Sequence, residues 1–152
     1  MVTIYYKKLR ENAKDPERAH ESDAGADVFA STKHIVKSRG GIDVIEYGTG
    51  LALAIPKGYA LDFRARSSVW KQGMILCNGV GTIDEAYHDE VEAFFYKILD
   101  GQYENDCQYN IGDKIGQLVL QPYVDPREIR YVEVDELKFD EDRGGGFGST
   151  GR

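Results

Sequence analysis

The chain has 152 residues, a length suited to one domain whose own apolar core needs no disulfide or metal to hold it together. Nineteen Lys and Arg against 26 Asp and Glu leave a net charge of -7, which excludes bulk nucleic-acid binding but leaves room for a small phosphorylated ligand that needs only a few local cations and N–H groups. Cys77 and Cys107 stand outside any Cys-x-x-Cys or Cys/His cluster, so they read as free thiols in a reducing compartment, with no zinc site and no disulfide framework.

The opening residues, MVTIYYKKLR, carry no long apolar stretch, and no run of about 18 apolar residues follows anywhere, so no membrane span is expected and the default address is the cytoplasm. In chain order, short β-branched or aromatic runs between turn residues predict strands over 2–6, 26–30, 50–55, 59–65, 80–83, 91–98 and 115–123. Residues 11–21 form a charged loop, and Pro56-Lys57-Gly58 supplies a tight turn between two strands. Helix periodicity is nearly absent. The pattern predicts an all-β fold, closed as a jelly-roll-like barrel because closure limits exposed strand edges. The barrel is expected over residues 1–142. The Gly-rich tail 143–152, RGGGFGSTGR, is expected to be a flexible arm, since glycine loses the most backbone freedom on being fixed.

Four segments stand apart from ordinary strand-and-turn sequence: DAGADV (23–28), RSS (66–68), NGVGTIDEAYHDE (78–90) and the tail. A weaker fifth is IGQL (115–118). Asp84 ends an apolar run, where a strand can deliver its carboxylate to a pocket mouth and let it accept a proton from water. At such a place an Asp is also an ordinary turn residue. Arg66, Ser67 and Ser68 follow a predicted strand and can turn hydroxyls and consecutive N–H groups toward phosphate oxygens, although a polar turn reads the same way. Gln117 by itself reads as an outward-facing strand residue. In the tail, Gly148 and its fellow glycines allow close backbone approach, Phe147 can stack on a base, Ser149 and Thr150 can donate to phosphate, and Arg143 can clamp its charge. No P-loop is present, and DAGAD lacks the spacing of an EF-hand.

Together, in this order and spacing, these segments and the framework GTGLALAIPKGYALDFRARSS resemble the trimeric dUTPase family over nearly the whole chain. The pattern G-x-I-D-x-x-Y falls on Gly81, Ile83, Asp84 and Tyr87. The resemblance implies that Asp84 activates the water that attacks the α-phosphorus of dUTP, giving dUMP and pyrophosphate. That reaction limits uracil incorporation into DNA and supplies a dTMP precursor. It further implies that Tyr87 lies against the deoxyribose where a 2′-hydroxyl would clash, and that the hairpin 78–90, with Gly81 and the Asn78 amide, reads uracil. Arg66, Ser67, Ser68 and Gln117 then hold phosphate, while Asp27 supports the site by orienting Arg66 or metal-bound water. The arm crosses to another subunit of a homotrimer, so active sites are shared between subunits. Mg²⁺ is expected to ride on the substrate phosphates with no direct protein ligand. If the chain is viral, its address is the host-cell cytoplasm.

Three departures from the family pattern stand out. Ala65 replaces a proline, Lys114 and Gly116 stand where Arg and Ala are common, and the tail is one residue short, which brings Arg143 closer to Phe147. Two other readings use the same features. A dCTP deaminase would share the fold but needs a Glu-based deamination site. A nucleotide-responsive interaction protein would use the polar segment 99–110 as a partner-binding insertion.

Overall fold

The computed structural model describes residues 1–37, 40–98 and 108–138. They form two antiparallel sheets, with two short 3-10 turns, Val69–Gln72 and Pro126–Glu128, as the helical elements among them. The spine of the first sheet is β4 (Asp43–Ala54). Along one of its edges run β1 (Tyr5–Lys8) and β3 (His34–Lys37); along the other runs β8 (Glu90–Lys97), with β6 (Met74–Leu76) beyond it. The second sheet has the order β2 (Gly25–Phe29), β9 (Lys114–Pro122), β5 (Tyr59–Ala65), β7 (Val80–Ile83). The sheets close into the expected jelly-roll-like barrel.

Side-chain alternation decides which face each strand buries. On β8, Val91, Ala93 and Phe95 enter the core while Glu92, Phe94 and Tyr96 face outward. On β5, Leu61 and Phe63 go in and Asp62 and Arg64 stay out. Tyr47, Phe95 and Tyr109 meet edge-to-face in the core, with ring centroids 5.8 to 6.0 Å apart, the arrangement that aromatic quadrupoles favour. Gly58, at φ +83°, completes the turn in which Tyr59 N donates to Pro56 O.

Four expectations change. The first strand lies at Tyr5–Lys8 rather than 2–6, its exposed lysines marking it as an edge strand, while Val2 and Ile4 line an apolar groove with Leu53, Leu61, Leu118 and Leu120. The strand expected over 50–55 begins at Asp43, because β3 and β8 pair with its first half, 43–48. Strands β3 and β6, each short, were not expected. Finally, the hairpin expected over 78–90 is a crossing segment: β7 belongs to the second sheet and β8 to the first, so the chain between them passes from sheet to sheet.

Candidate active site

The anion-accepting residues gather on the outer face of the second sheet. Pairing aligns Asp27, Gln117 and Arg64 across β2, β9 and β5. A cavity of about 390 Å³ above them is lined by Asp23, Asp27, Arg64, Arg66, Ser67 and Gln117, among others. Asp27 is 5 % exposed; its carboxylate accepts from Gln117 Nε2 at 3.1 Å and pairs with Lys114 Nζ at 2.9 Å. Burial pushes this carboxyl up, but the Lys114 and Gln117 hydrogen bonds, aided by the charges of Lys114 and Arg66, outweigh it and hold Asp27 below the usual value. The expectation that Asp27 orients Arg66 therefore changes: its direct partners are Lys114 and Gln117, and Arg66 acts on it through charge alone.

Arg66 opens the turn that follows β5. Its carbonyl accepts from Val69 N at 2.9 Å, and Ser68 O accepts from Lys71 N at 3.0 Å, winding the chain into the 3-10 turn Val69–Gln72. Gly73, in the left-handed region at φ 59°, ends it. Ser68 heads this turn with no side-chain capping bond, and Ser67 faces the cavity. Arg64, not singled out from the sequence, is anchored to Asp62 at 2.8 Å and lines the same cavity. Strict alternation along β5 was the signal that could have found it.

The second set of residues lies where β7 and β8 splay apart. β7 is the edge of its sheet, and β6 pairs only with the Lys97 end of β8, so strand edges face the gap. Two adjoining pockets, about 210 and 270 Å³, occupy it; both are lined by Phe63, Asn78, Gly81 and Glu92, and Tyr87 closes the first. A Cβ at Gly81 would lie 3.0 Å from the Asn78 amide nitrogen, so a larger residue there would press on that side chain. Gly79, at φ +68°, turns the chain between β6 and β7. Cys77, a free thiol, lines the second pocket, whereas Cys107 lies outside the described residues.

Asp84 is exposed and begins the crossing segment, its carbonyl accepting from Tyr87 N at 3.0 Å. Its carboxylate makes no hydrogen bond or ion pair among the described residues. The neighbouring Glu85 ties this turn down, accepting from Tyr123 OH at 2.8 Å and from Gly58 N at 3.2 Å. Gly58 and Tyr123 flank the Tyr59 end of β5, whereas Arg66 follows its Ala65 end. At about 3.3 Å per residue the two ends are roughly 20 Å apart. One chain thus brings Asp27, Arg66, Ser67 and Gln117 to one cavity and lines another with Asn78, Gly81 and Tyr87, with Asp84 in the turn that leads to Tyr87; it does not bring Asp84 to Arg66. Arg143, Phe147, Gly148, Ser149 and Thr150 lie outside the described residues.

A two-sheet β-barrel with a guanidinium-lined cavity on one sheet face and an aromatic-edged slot between splayed strands is built for a ligand with an anionic end and a flat end. The family model described as dUTPase matches residues 11–151, and the chain belongs to that family. It is 36 % identical over 152 residues to the deoxyuridine 5'-triphosphate nucleotidohydrolase of Clostridium acetobutylicum, covering 99 % of this chain and 98 % of that protein. Among solved structures, a point mutant of the Staphylococcus bacteriophage 80alpha dUTPase with dUpNHpp matches with a TM-score of 0.78 at 27 % identity over 99 % of both chains. A mutant dUTPase from phage phi11 of S. aureus, described as coordinating a structural Mg(II) ion, matches with a TM-score of 0.70 at 27 % identity, over 90 % of this chain and 99 % of that one.

Proposed function

We propose that this chain hydrolyses dUTP to dUMP and pyrophosphate, limiting uracil incorporation into DNA and supplying a dTMP precursor. The observation that carries this reading is the slot between β7 and β8, lined by Asn78, Gly81 and Tyr87, with the exposed carboxylate of Asp84, unpartnered among the described residues, in the turn that leads to Tyr87. Uracil enters edge-first, its O4, N3–H and O2 meeting backbone groups; cytosine presents the wrong donor at that edge, at a cost of about 1–3 kcal/mol per unpaired group. Tyr87 faces the sugar and excludes a 2′-hydroxyl by bulk.

Asp84 orients a water and takes its proton as the water oxygen bonds to the α-phosphorus; the bond from that phosphorus to the α,β-bridging oxygen breaks, and pyrophosphate leaves. Arg66, Ser67 and Ser68 hold phosphate oxygens, and Gln117, fixed by Asp27, reaches the phosphates and the attacking water. The donor set suits Mg²⁺ carried in on the phosphates: Asp27, already engaged by Lys114 and Gln117, can accept from metal-bound water. When bound, the ion neutralises phosphate oxygens.

Because Asp84 and Arg66 occupy opposite ends of β5, the complete site takes them from different subunits of a homotrimer. Tyr131, Val132, Val134 and Leu137, exposed by 54 to 94 %, offer apolar surface for that association. The tail supplies the lid: Phe147 stacks on uracil, Arg143, Ser149 and Thr150 engage the terminal phosphates, and Gly148 allows the close approach.

The Asp84→Asn variant tests this reading. Pyrophosphate release from dUTP should fall by about 10²–10⁴-fold while binding of a non-hydrolysable dUTP analogue persists. Unchanged turnover, or ammonia release from dCTP by the unaltered chain without pyrophosphate release from dUTP, would overturn it.

A further inference from the structure

Tyr87 lies on the segment that crosses between the sheets, and its backbone N–H donates to the Asp84 carbonyl in a turn. Its phenol donates to the backbone carbonyl of Glu90, the first residue of β8, at 2.8 Å. What holds Glu90 therefore helps to set where the ring stands.

Glu90 is held from two directions. Arg10, from the loop after β1, donates through both terminal nitrogens to its two carboxylate oxygens, at 2.5 and 2.6 Å, and Gly50 N donates to Oε1 at 2.7 Å. The loop bearing Arg10 is itself pinned to β4, with Leu9 N donating to Gly50 O at 2.8 Å. Pairing of β4 with β8 is interrupted between Gly48 and Ala52, where the Glu90 side chain folds back over β4. Gly48 makes this possible, since a Cβ there would lie 2.5 Å from Glu90 Oε1 and from Thr32 Oγ1. The Glu90 side chain is 13 % exposed, so this bidentate, charge-assisted pair is better shielded from solvent than an ordinary surface ion pair. Glu90 thus links the two: Arg10 holds its carboxylate, and the Tyr87 hydroxyl donates to its backbone carbonyl.

We propose that Arg10 and Glu90 are positioning residues for sugar discrimination, fixing the Tyr87 ring at the depth where a 2′-hydroxyl clashes with it. The pair touches neither phosphate nor base, so its loss affects the choice between deoxyribose and ribose more than the hydrolysis of the correct substrate. A loosened ring yields to the extra hydroxyl, whereas dUTP, which does not press on it, is processed nearly as before. The proposal rests on reading Tyr87 as the sugar-checking residue.

The test compares kcat/KM for dUTP and UTP in Arg10→Met, Arg10→Lys, Glu90→Gln and Tyr87→Ala, with thermal melts to confirm folding. Arg10→Met should lower the dUTP/UTP ratio about tenfold, chiefly by raising kcat/KM for UTP, with kcat on dUTP within about twofold of the original. Arg10→Lys and the isosteric Glu90→Gln, which each keep part of the hydrogen bonding, should lose less. A lowered ratio in Tyr87→Ala with unchanged ratios in Arg10→Met and Glu90→Gln would overturn the proposal and leave the role of Tyr87 standing. An unchanged ratio in Tyr87→Ala would remove the sugar-checking reading itself, and the proposal with it.

Discussion

The two ends of β5 are organised in opposite ways. At the Ala65 end the polar groups are locked within one chain: Asp27 is buried, paired with Lys114 and bonded to Gln117, under the turn that Arg66 begins. At the Tyr59 end, Glu85 anchors the turn but leaves the Asp84 carboxylate exposed and without a hydrogen-bond partner among the described residues. Groups that hold charge can be set in advance by burial and pairing, whereas a group that must meet water and substrate gains from staying free until a site closes around it.

Phe63 joins the two ends, and the larger of two effects strikes there. Its ring forms a wall of both slot pockets and also lies against Gly116 on β9, where an added Cβ would collide with the ring and sit 2.9 Å from the Arg64 carbonyl oxygen. Gly116 is therefore matched to Phe63. Gly116→Ala should destabilise the protein by about 1–3 kcal/mol, measured by denaturant unfolding, and should also weaken binding of dUMP by displacing Phe63 into the slot. Unaltered stability and dUMP affinity would show that the two ends are independent.

A smaller effect follows from Lys114, and it shows in how stability changes with pH. Asp27 has a folded pKa below the ordinary value of about 3.9. Its ionised, paired form therefore contributes stability fully above that value, and the contribution is lost as pH falls through the lower folded value. Lys114→Met removes a chief lowering influence and leaves burial to raise the carboxyl, so the variant should be less stable than the original chain near neutral pH, where Asp27 is ionised, and the gap should close as acid protonates it. Thermal melts from about pH 7 to about pH 3 measure this, and parallel curves for the two proteins would contradict it.

Much of this was legible in the sequence, for identifiable reasons. Strands 59–65 and 80–83 fall where alternation and flanking turns put them; of the singled-out residues, Asp27 and Gln117 lie side by side within β2 and β9, while Arg66 and Asp84 directly follow β5 and β7. The short strand His34–Lys37, exposed throughout, has no inward-facing pattern to read. The start of β4 is paired by partners up to 52 residues away, as Val44 is with Tyr96. The expected hairpin was misplaced because neighbouring strands usually pair, whereas here six residues, 84–89, carry the chain from one sheet to the other. Arg10 and Glu90, 80 residues apart, leave no local trace of their contact.

The central claim, that Asp84 and Arg66 serve one site from different subunits, can be tested directly by mixing. Asp84→Asn and Arg66→Ala chains, each inactive alone, are refolded together in equal amounts and pyrophosphate release from dUTP is measured. Random assembly should restore about a quarter of the original activity, since a shared site is intact when each subunit facing it contributes its unaltered residue. A mixture as inactive as its two components would contradict the account, for it would mean that both residues must come from the same chain.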